Sequence, residues 1–262
     1  MPELETVHDE ITDQSLTALR GLAGDRCEPS AGSISELQMA DLVLVSGQIV
    51  GGGKSTLIHE LESDGRINIP SWTNRDLRSG ETEGIDKCKR ALSAMADRAV
   101  EGYFLELEEI RPGFFYATPA EFTAEQSYVK DLELKGALRL RTFDPELPIV
   151  VPLPPIYEVV GKRVTEWERR VIVREGLLAA LGDKEAKDLQ GRLEGAVEET
   201  DRIIELNLLE DPNILVVVND SLPRTIHAMR TFLGTGEKLD QQGIESHIEK
   251  LHYIASSALL AV

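Results

Sequence analysis

Three consecutive glycines, Gly51, Gly52 and Gly53, run directly into Lys54, Ser55 and Thr56 in the segment SGQIVGGGKST. Glycine tolerates positive φ and close approach of the backbone, so successive amides of such a loop can point at anionic oxygens. A helix starting at Lys54 would add its unsatisfied N–H groups and positive dipole end to the same pull. Lys54 would bring a mobile point charge to the outer groups of a polyphosphate, and Ser55 a hydroxyl suited to Mg2+. The spacing carries one irregularity. A phosphate loop ordinarily has four residues between its first glycine and the Gly-Lys pair, whereas Gly47 and Gly53 enclose five. Either the loop bulges by one residue or Gln48 stands in place of the first glycine.

The elements needed to hold that loop flank it. DLVLVSG, from Asp41, is a continuous apolar run closed by Ser-Gly, the pattern of a strand buried in a parallel sheet. KSTLIHELE, from Lys54 to Glu62, spaces its apolar residues as a helix does. Leu138–Phe143, Ile149–Leu153 and NILVVVND read as further strands, and KCKRAL reads more as helix. Glu166 to Leu209 reads as a long, charged helical region. The tail from Leu239 to Val262 gathers Ile244, Ile248, Leu251, Ile254 and Leu259 near one helical face, a packing face that leaves a homodimer open. Met1 to about Met39 is punctuated by Gly, Pro and Ser, and is expected to form a short helix around Leu16–Leu22 followed by a linker. The class is α/β with a parallel sheet flanked by helices.

Composition narrows the function classes. With 46 acidic against 28 basic side chains the formal charge is −18, which argues against general affinity for nucleic acid or an anionic membrane. Basic groups that serve a polyanion must then be gathered at a site. Cys27 and Cys88 make no disulfide framework and suit no zinc site, and the histidines form no HExxH cluster. MPELETVHDE is acidic and lacks the apolar core of a leader peptide, and the apolar runs fall short of a membrane span. A cytoplasmic protein is expected.

PSWTNRDLRSGETEGID resembles the guanylate kinase pattern S-x-T-T-R-x-x-R-x-G-E-x-x-G-x-D, with Asn74 in place of the second threonine. Glu106 in GYFLELEE matches the family's G-x-F-L-E, and FFYATP stands where the family has Y-Y-G-T. RLEGAVEE is similar to R-x-x-x-A-x-x-E, and VVVND to I-V-N-D. The resemblance runs from about Asp41 to Phe232 and is densest from Leu42 to Thr118. It implies a P-loop NTPase fold with acceptor-binding and lid insertions. Residues 1–39 would be an N-terminal extension and 40–235 the kinase-like domain, its acceptor region about 68–120 and its lid about 160–192. Residues 236–262 would be a helix packing on that domain.

The implied activity is transfer of the γ-phosphoryl group of Mg2+-bound ATP to a nucleoside monophosphate, GMP or dGMP first. Gly51, Gly52, Gly53, Lys54, Ser55 and Thr56 would hold ATP, with Ser55 on the metal. Arg75 and Arg78 would clamp the acceptor phosphate through bidentate guanidinium bonds, with Tyr116 adding a phenolic bond and Glu81 shaping the turn. Ser71, Glu106 and an aspartate would read the base, because a carboxylate can accept from guanine N1–H and the exocyclic amine. Lys54 and lid arginines would stabilise the transferring group. Arg163, Arg169, Arg170 and Arg174 are candidates, although WERRVIVRE reads equally as an ion-paired helix; Arg192 fits the family position.

Several positions depart from the family pattern. Lys87 stands where the family places a phosphate-binding tyrosine, and Ala117 replaces the glycine of Y-G-T. Counted from Gly136, the family's D-I-D strand end falls on Thr142-Phe143-Asp144. Asp144 would then be the base-reading aspartate, with Thr142 replacing the metal-side one, and a family helix would be missing. Alternatives are an acceptor that is a modified nucleotide or a sugar phosphate, and a catalytically weakened binding module that recognises phosphorylated peptides.

Overall fold

The computed structural model describes residues 13–47, 49, 52–159, 162–165 and 183–259. The chain forms two compact units. One comprises the chain up to Leu42 with Gly65–Lys130 and Arg139–Pro145; the other comprises Val43–Asp64, Asp131–Leu138 and the chain from Glu146 onward.

In the first unit, strands β3 (Ser71–Thr73), β4 (Lys87–Lys89), β5 (Phe104–Arg111) and β6 (Phe114–Pro119) form a four-stranded sheet in the order β4-β3-β6-β5. Side chains alternate across its two faces. Trp72 pairs with Ala117, and Leu107 with Ala117 from the other side, so these three share the apolar face with Phe115. A register shift between Phe104 and Glu106 inserts one extra residue. That bulge keeps Phe104 and Leu107 in the apolar cluster and turns Glu106 toward Thr118 on the opposite face. KCKRAL therefore begins as a strand, contrary to the helical reading, because Lys87–Lys89 pairs in parallel with Ser71–Thr73.

The apolar face is covered by the chain's beginning. A helix over residues 13–22 contributes Leu19, which is wholly buried with Cys27, Met95, Phe104 and Phe115. The expected linker is instead a second helix, Ala31–Met39, whose N-cap Ser30 accepts the Ser33 N–H at 3.1 Å. The Ser30 N–H and Ser33 Oγ both donate to the Gly102 carbonyl at 2.8 Å. Only glycine fits there: Gly102 has φ 67°, and a Cβ would lie 2.6 Å from the Ser30 nitrogen. Arg20 pairs with Glu109 at 2.9 Å, and the Arg139 guanidinium donates to the Gly24 and Cys27 carbonyls.

The parallel sheet has the strand order β11-β8-β1-β7-β2, formed by β1 (Asp41–Ser46), β2 (Ile67–Asn68), β7 (Ser127–Leu132), β8 (Ile149–Leu153) and β11 (Ile214–Val218). Its core strands are near-continuous apolar runs, with β8 buried at every residue, as befits strands covered on both sides. Helices Lys54–Ser63, Asp183–Glu205, Leu222–Thr235 and Ile244–Leu259 flank it. The last buries Ile244, Ile248, Leu251 and Ala255 and packs against Asp183–Glu205. Strands β9 (Ile156–Val159) and β10 (Lys162–Thr165) pair antiparallel.

One sequence expectation fails in an instructive way. Leu138–Phe143 is not a strand but the end of helix Leu134–Phe143. Leu134, Ala137 and Leu140 are buried at three-residue spacing, a helical period. No helix among the described residues is long and apolar enough to cross a membrane.

Candidate active site

The polar face of the four-stranded sheet carries half of the acceptor candidates: Ser71, Lys87, Glu106 and Tyr116. Ser71 and Thr73 on β3, Lys87 on β4, Glu106 on β5, and Tyr116 and Thr118 on β6 share it by alternation. Glu106, buried to 8% exposure, accepts from Thr118 Oγ1 at 3.2 Å. Lys87 donates to Ser71 Oγ at 3.3 Å and lies 5.8 Å from the Tyr116 ring centroid.

Arg75 follows β3 and is held in a fixed pose. Its guanidinium grips Glu81 by two bonds of 2.6 and 2.7 Å, and its Nε donates to the Tyr116 hydroxyl. Glu81 also accepts the Arg78 N–H at 2.8 Å. The Arg75 hydrogen bonds hold the Glu81 carboxyl at about 2, against an ordinary 4.5, with the Arg78 amide adding to the effect. The same pairing pushes the Arg75 guanidinium further up. Arg78 is exposed. Asn74, the departure from the family pattern, donates to the Gly113 carbonyl at 2.7 Å and accepts the Phe115 N–H at 2.8 Å. It ties the arginine-bearing turn to the β5–β6 hairpin.

In the second unit the glycine loop joins β1 to helix Lys54–Ser63. That helix starts on Gly53, which is left-handed at φ 89° and supplies no side-chain cap. The first-turn N–H groups at Lys54, Ser55 and Thr56 have no intrahelical acceptor, an arrangement able to bind an anion. Two contacts explain the adjacent glycines. A Cβ on Gly52 would stand 2.2 Å from the Pro152 carbonyl oxygen, and one on Gly53 would stand 2.1 Å from Asn219 Nδ2. Asn219 Nδ2 donates to the Gly52 carbonyl at 2.9 Å, while the Asn219 N–H bonds the Leu153 carbonyl at 2.8 Å. The ends of β8 and β11 thus shape the loop. Glu199 Oε1 lies 3.3 Å from where a Cβ on Gly47 would stand. Lys54 is half-buried, and Ser55 and Thr56 are exposed. Gly51 lies outside the described residues.

Two relatives settle the family. The guanylate kinase of Chlorobaculum tepidum is 31% identical over 206 residues, 73% of this chain and 94% of that protein. The chain belongs to the guanylate kinase family. The guanylate kinase of Salinibacter ruber is 32% identical over 197 residues, 71% of this chain and 93% of that protein. The crystal structure of guanylate kinase from Anaplasma phagocytophilum aligns with a TM-score of 0.47 at 19% identity, covering 80% of this chain and 94% of that one. No family model matches the chain.

Within this member of the family, Asp144 is not at a strand end. Its N–H bonds the Leu140 carbonyl at 3.1 Å, and Thr142 Oγ1 bonds the Arg139 carbonyl at 2.8 Å, both as part of a helix terminus. The strand that precedes this helix is β7, which ends at Leu132, so the acidic strand end is Asp131-Leu132-Glu133. Helix Leu134–Phe143 follows that strand directly. Lys130, wholly buried on the same strand and bonded to Ser71, carried no sequence signal. Arg163 lies on strand Lys162–Thr165 and Arg192 in helix Asp183–Glu205. Arg169, Arg170 and Arg174 fall outside the described residues.

Proposed function

We propose that this protein transfers the γ-phosphoryl group of ATP to GMP or dGMP. The observation that carries the reading is the Arg75–Glu81–Tyr116 lock beside the Glu106–Thr118 pair on one sheet face. Arg75 is held in one pose by Glu81, Tyr116 and the Asp76 carbonyl with one guanidinium N–H left to give, so less side-chain entropy is lost when an acceptor phosphate docks. Glu106 presents acceptor lone pairs for a base edge with two adjacent N–H donors. On the donor side, Lys54 and the first-turn amides hold the ATP phosphates. Arg163, Arg174 and Arg192 are assigned to the lid, where guanidinium groups meet charge that develops on the transferring group. A Mg2+ ion bound with ATP supplies charge neutralisation. Ser55, with its exposed first-turn hydroxyl, and Asp131 would hold it, a donor set of one hydroxyl and one carboxylate that suits a cation already ligated by phosphates. The protein's own contribution is positioning and electrostatic stabilisation.

The test is production of ADP and nucleoside diphosphate by the purified full chain with Mg2+, ATP and a panel of GMP, dGMP, IMP, AMP and sugar phosphates. Turnover should be fastest with GMP or dGMP, and Lys54→Ala should lower kcat by more than the roughly ten- to hundredfold that loss of a ground-state ionic hydrogen bond implies. Absence of any diphosphate above background would refute the kinase reading. The additional residue between Gly47 and Gly53 favours a second reading, a binding module. GMP or phosphopeptide affinity without magnesium-dependent ATP affinity would select it.

A further inference from the structure

Lys130 is 0% exposed. A buried ammonium is costly unless hydrogen-bonded, and a methionine would fill a similar volume without that cost. Its Nζ donates to the Ile69 carbonyl at 3.0 Å and to Ser71 Oγ at 2.5 Å. Lys87 Nζ donates to the same oxygen at 3.3 Å. An ammonium has no lone pair, so in both contacts Ser71 Oγ accepts. A hydroxyl has two acceptor sites and one proton. With both sites taken by ammonium donors, the Ser71 O–H can only be given away.

The Trp72–Ala117 pairing continues to place Ser71 opposite Thr118, which is itself opposite Glu106. One row across the sheet therefore runs from a hydroxyl fixed as donor to a carboxylate that accepts. A 6-oxopurine matches that polarity, with O6 accepting while N1–H donates. A 6-aminopurine reverses both positions. We propose that Lys130 is a positioning residue that fixes the Ser71 hydroxyl as a donor and so selects 6-oxopurine over 6-aminopurine acceptors. This rests on the reading of the polar sheet face as the acceptor site.

The experiment measures kcat/KM of the full chain with Mg2+ and ATP against GMP, IMP and AMP, for wild type, Lys130→Met, Ser71→Ala and the double variant. Wild type should favour GMP and IMP over AMP. Lys130→Met should shrink the GMP:AMP ratio by about tenfold or more, the scale of one reversed buried hydrogen bond. The change should lie in the acceptor KM, leaving the KM for ATP and the GMP:IMP ratio unchanged. Ser71→Ala should reproduce the loss, and the double variant should add nothing further. A Lys130→Met enzyme that loses GMP and AMP activity by the same factor has lost only structure, and that result overturns the proposal. Full GMP:AMP preference in Ser71→Ala overturns it as well, whether or not Lys130→Met folds. If wild type turns over no acceptor, calorimetric titration reads the same ratio as Kd. A GMP preference that Lys130→Met abolishes would then uphold the inference while the kinase reading fails. Equal affinity of wild type for GMP and AMP would overturn it.

Discussion

Replacing Glu81 by glutamine keeps the shape of the side chain and removes the charge that grips Arg75 through bonds of 2.6 and 2.7 Å. Displacing the carboxyl from 4.5 to about 2 corresponds to about 3 kcal/mol of native stability at neutral pH. The pair is largely shielded, at 12% and 19% side-chain exposure, and screening by the remaining solvent trims the expectation to about 2 kcal/mol. The sign follows from the direction. A carboxyl held below its unfolded value stabilises the fold above that value, and the contribution is lost as pH falls from 4.5 through about 2. Urea denaturation of wild type and Glu81→Gln, followed by circular dichroism in a phosphate-free buffer, should show the variant less stable by about 2 kcal/mol at pH 7. The gap should narrow by roughly half between pH 5 and pH 3. The acceptor KM should rise as well, with the ATP KM unaffected, because Arg75 loses its orientation. A gap that stays constant down to pH 3, or that is absent at pH 7, would refute the reasoning.

Gly53→Ala should cost about 1–2 kcal/mol for its left-handed backbone, with the clash against Asn219 added to that, and should weaken Mg2+-dependent ATP binding measured by calorimetry. Adding Asn219→Ala removes the atom that a Cβ would strike at 2.1 Å, so the double variant should recover part of that stability. Gly52→Ala should gain no such relief, since it meets the Pro152 backbone. Leu19→Ala, in the wholly buried cluster behind the sheet, should lower the unfolding free energy by about 2–4 kcal/mol in the same urea assay. A loss below about 0.5 kcal/mol, the size of an ordinary surface change, would mean that the chain's beginning is not part of that core.

The phosphate loop was legible because its chemistry is local. Strand, glycines, lysine and helix follow one another, and each pattern is complete within a few residues. Arg75, Arg78, Glu81 and Glu106 stood out as candidates for a different reason, a run of motif residues at family spacing. Other features could be read only from contacts between distant segments. The second N-terminal helix depends on Ser30 capping and on Gly102, seventy-two residues downstream. The KCK strand exists because Ser71–Thr73 offers it a partner. Asp144 closes a helix and not a strand, because a helical stripe of apolar residues resembles a short strand when read alone.

What the amino-acid sequence by itself determined is the family and the local motifs that carry it: a glycine-lysine loop between a strand and a helix, then Arg75 and Arg78 in one motif and Glu106 in the next. Side-chain type and short-range spacing suffice for that. Tertiary structure alone decided which groups are prepared and how. Pro152 and Asn219 demand the glycines, Glu81 and Tyr116 hold Arg75, and Lys130 reaches Ser71 from a strand fifty-nine residues away. The physical reason is that the orientation of a buried hydrogen bond depends on every donor and acceptor around it. Those neighbours come together only when the chain folds.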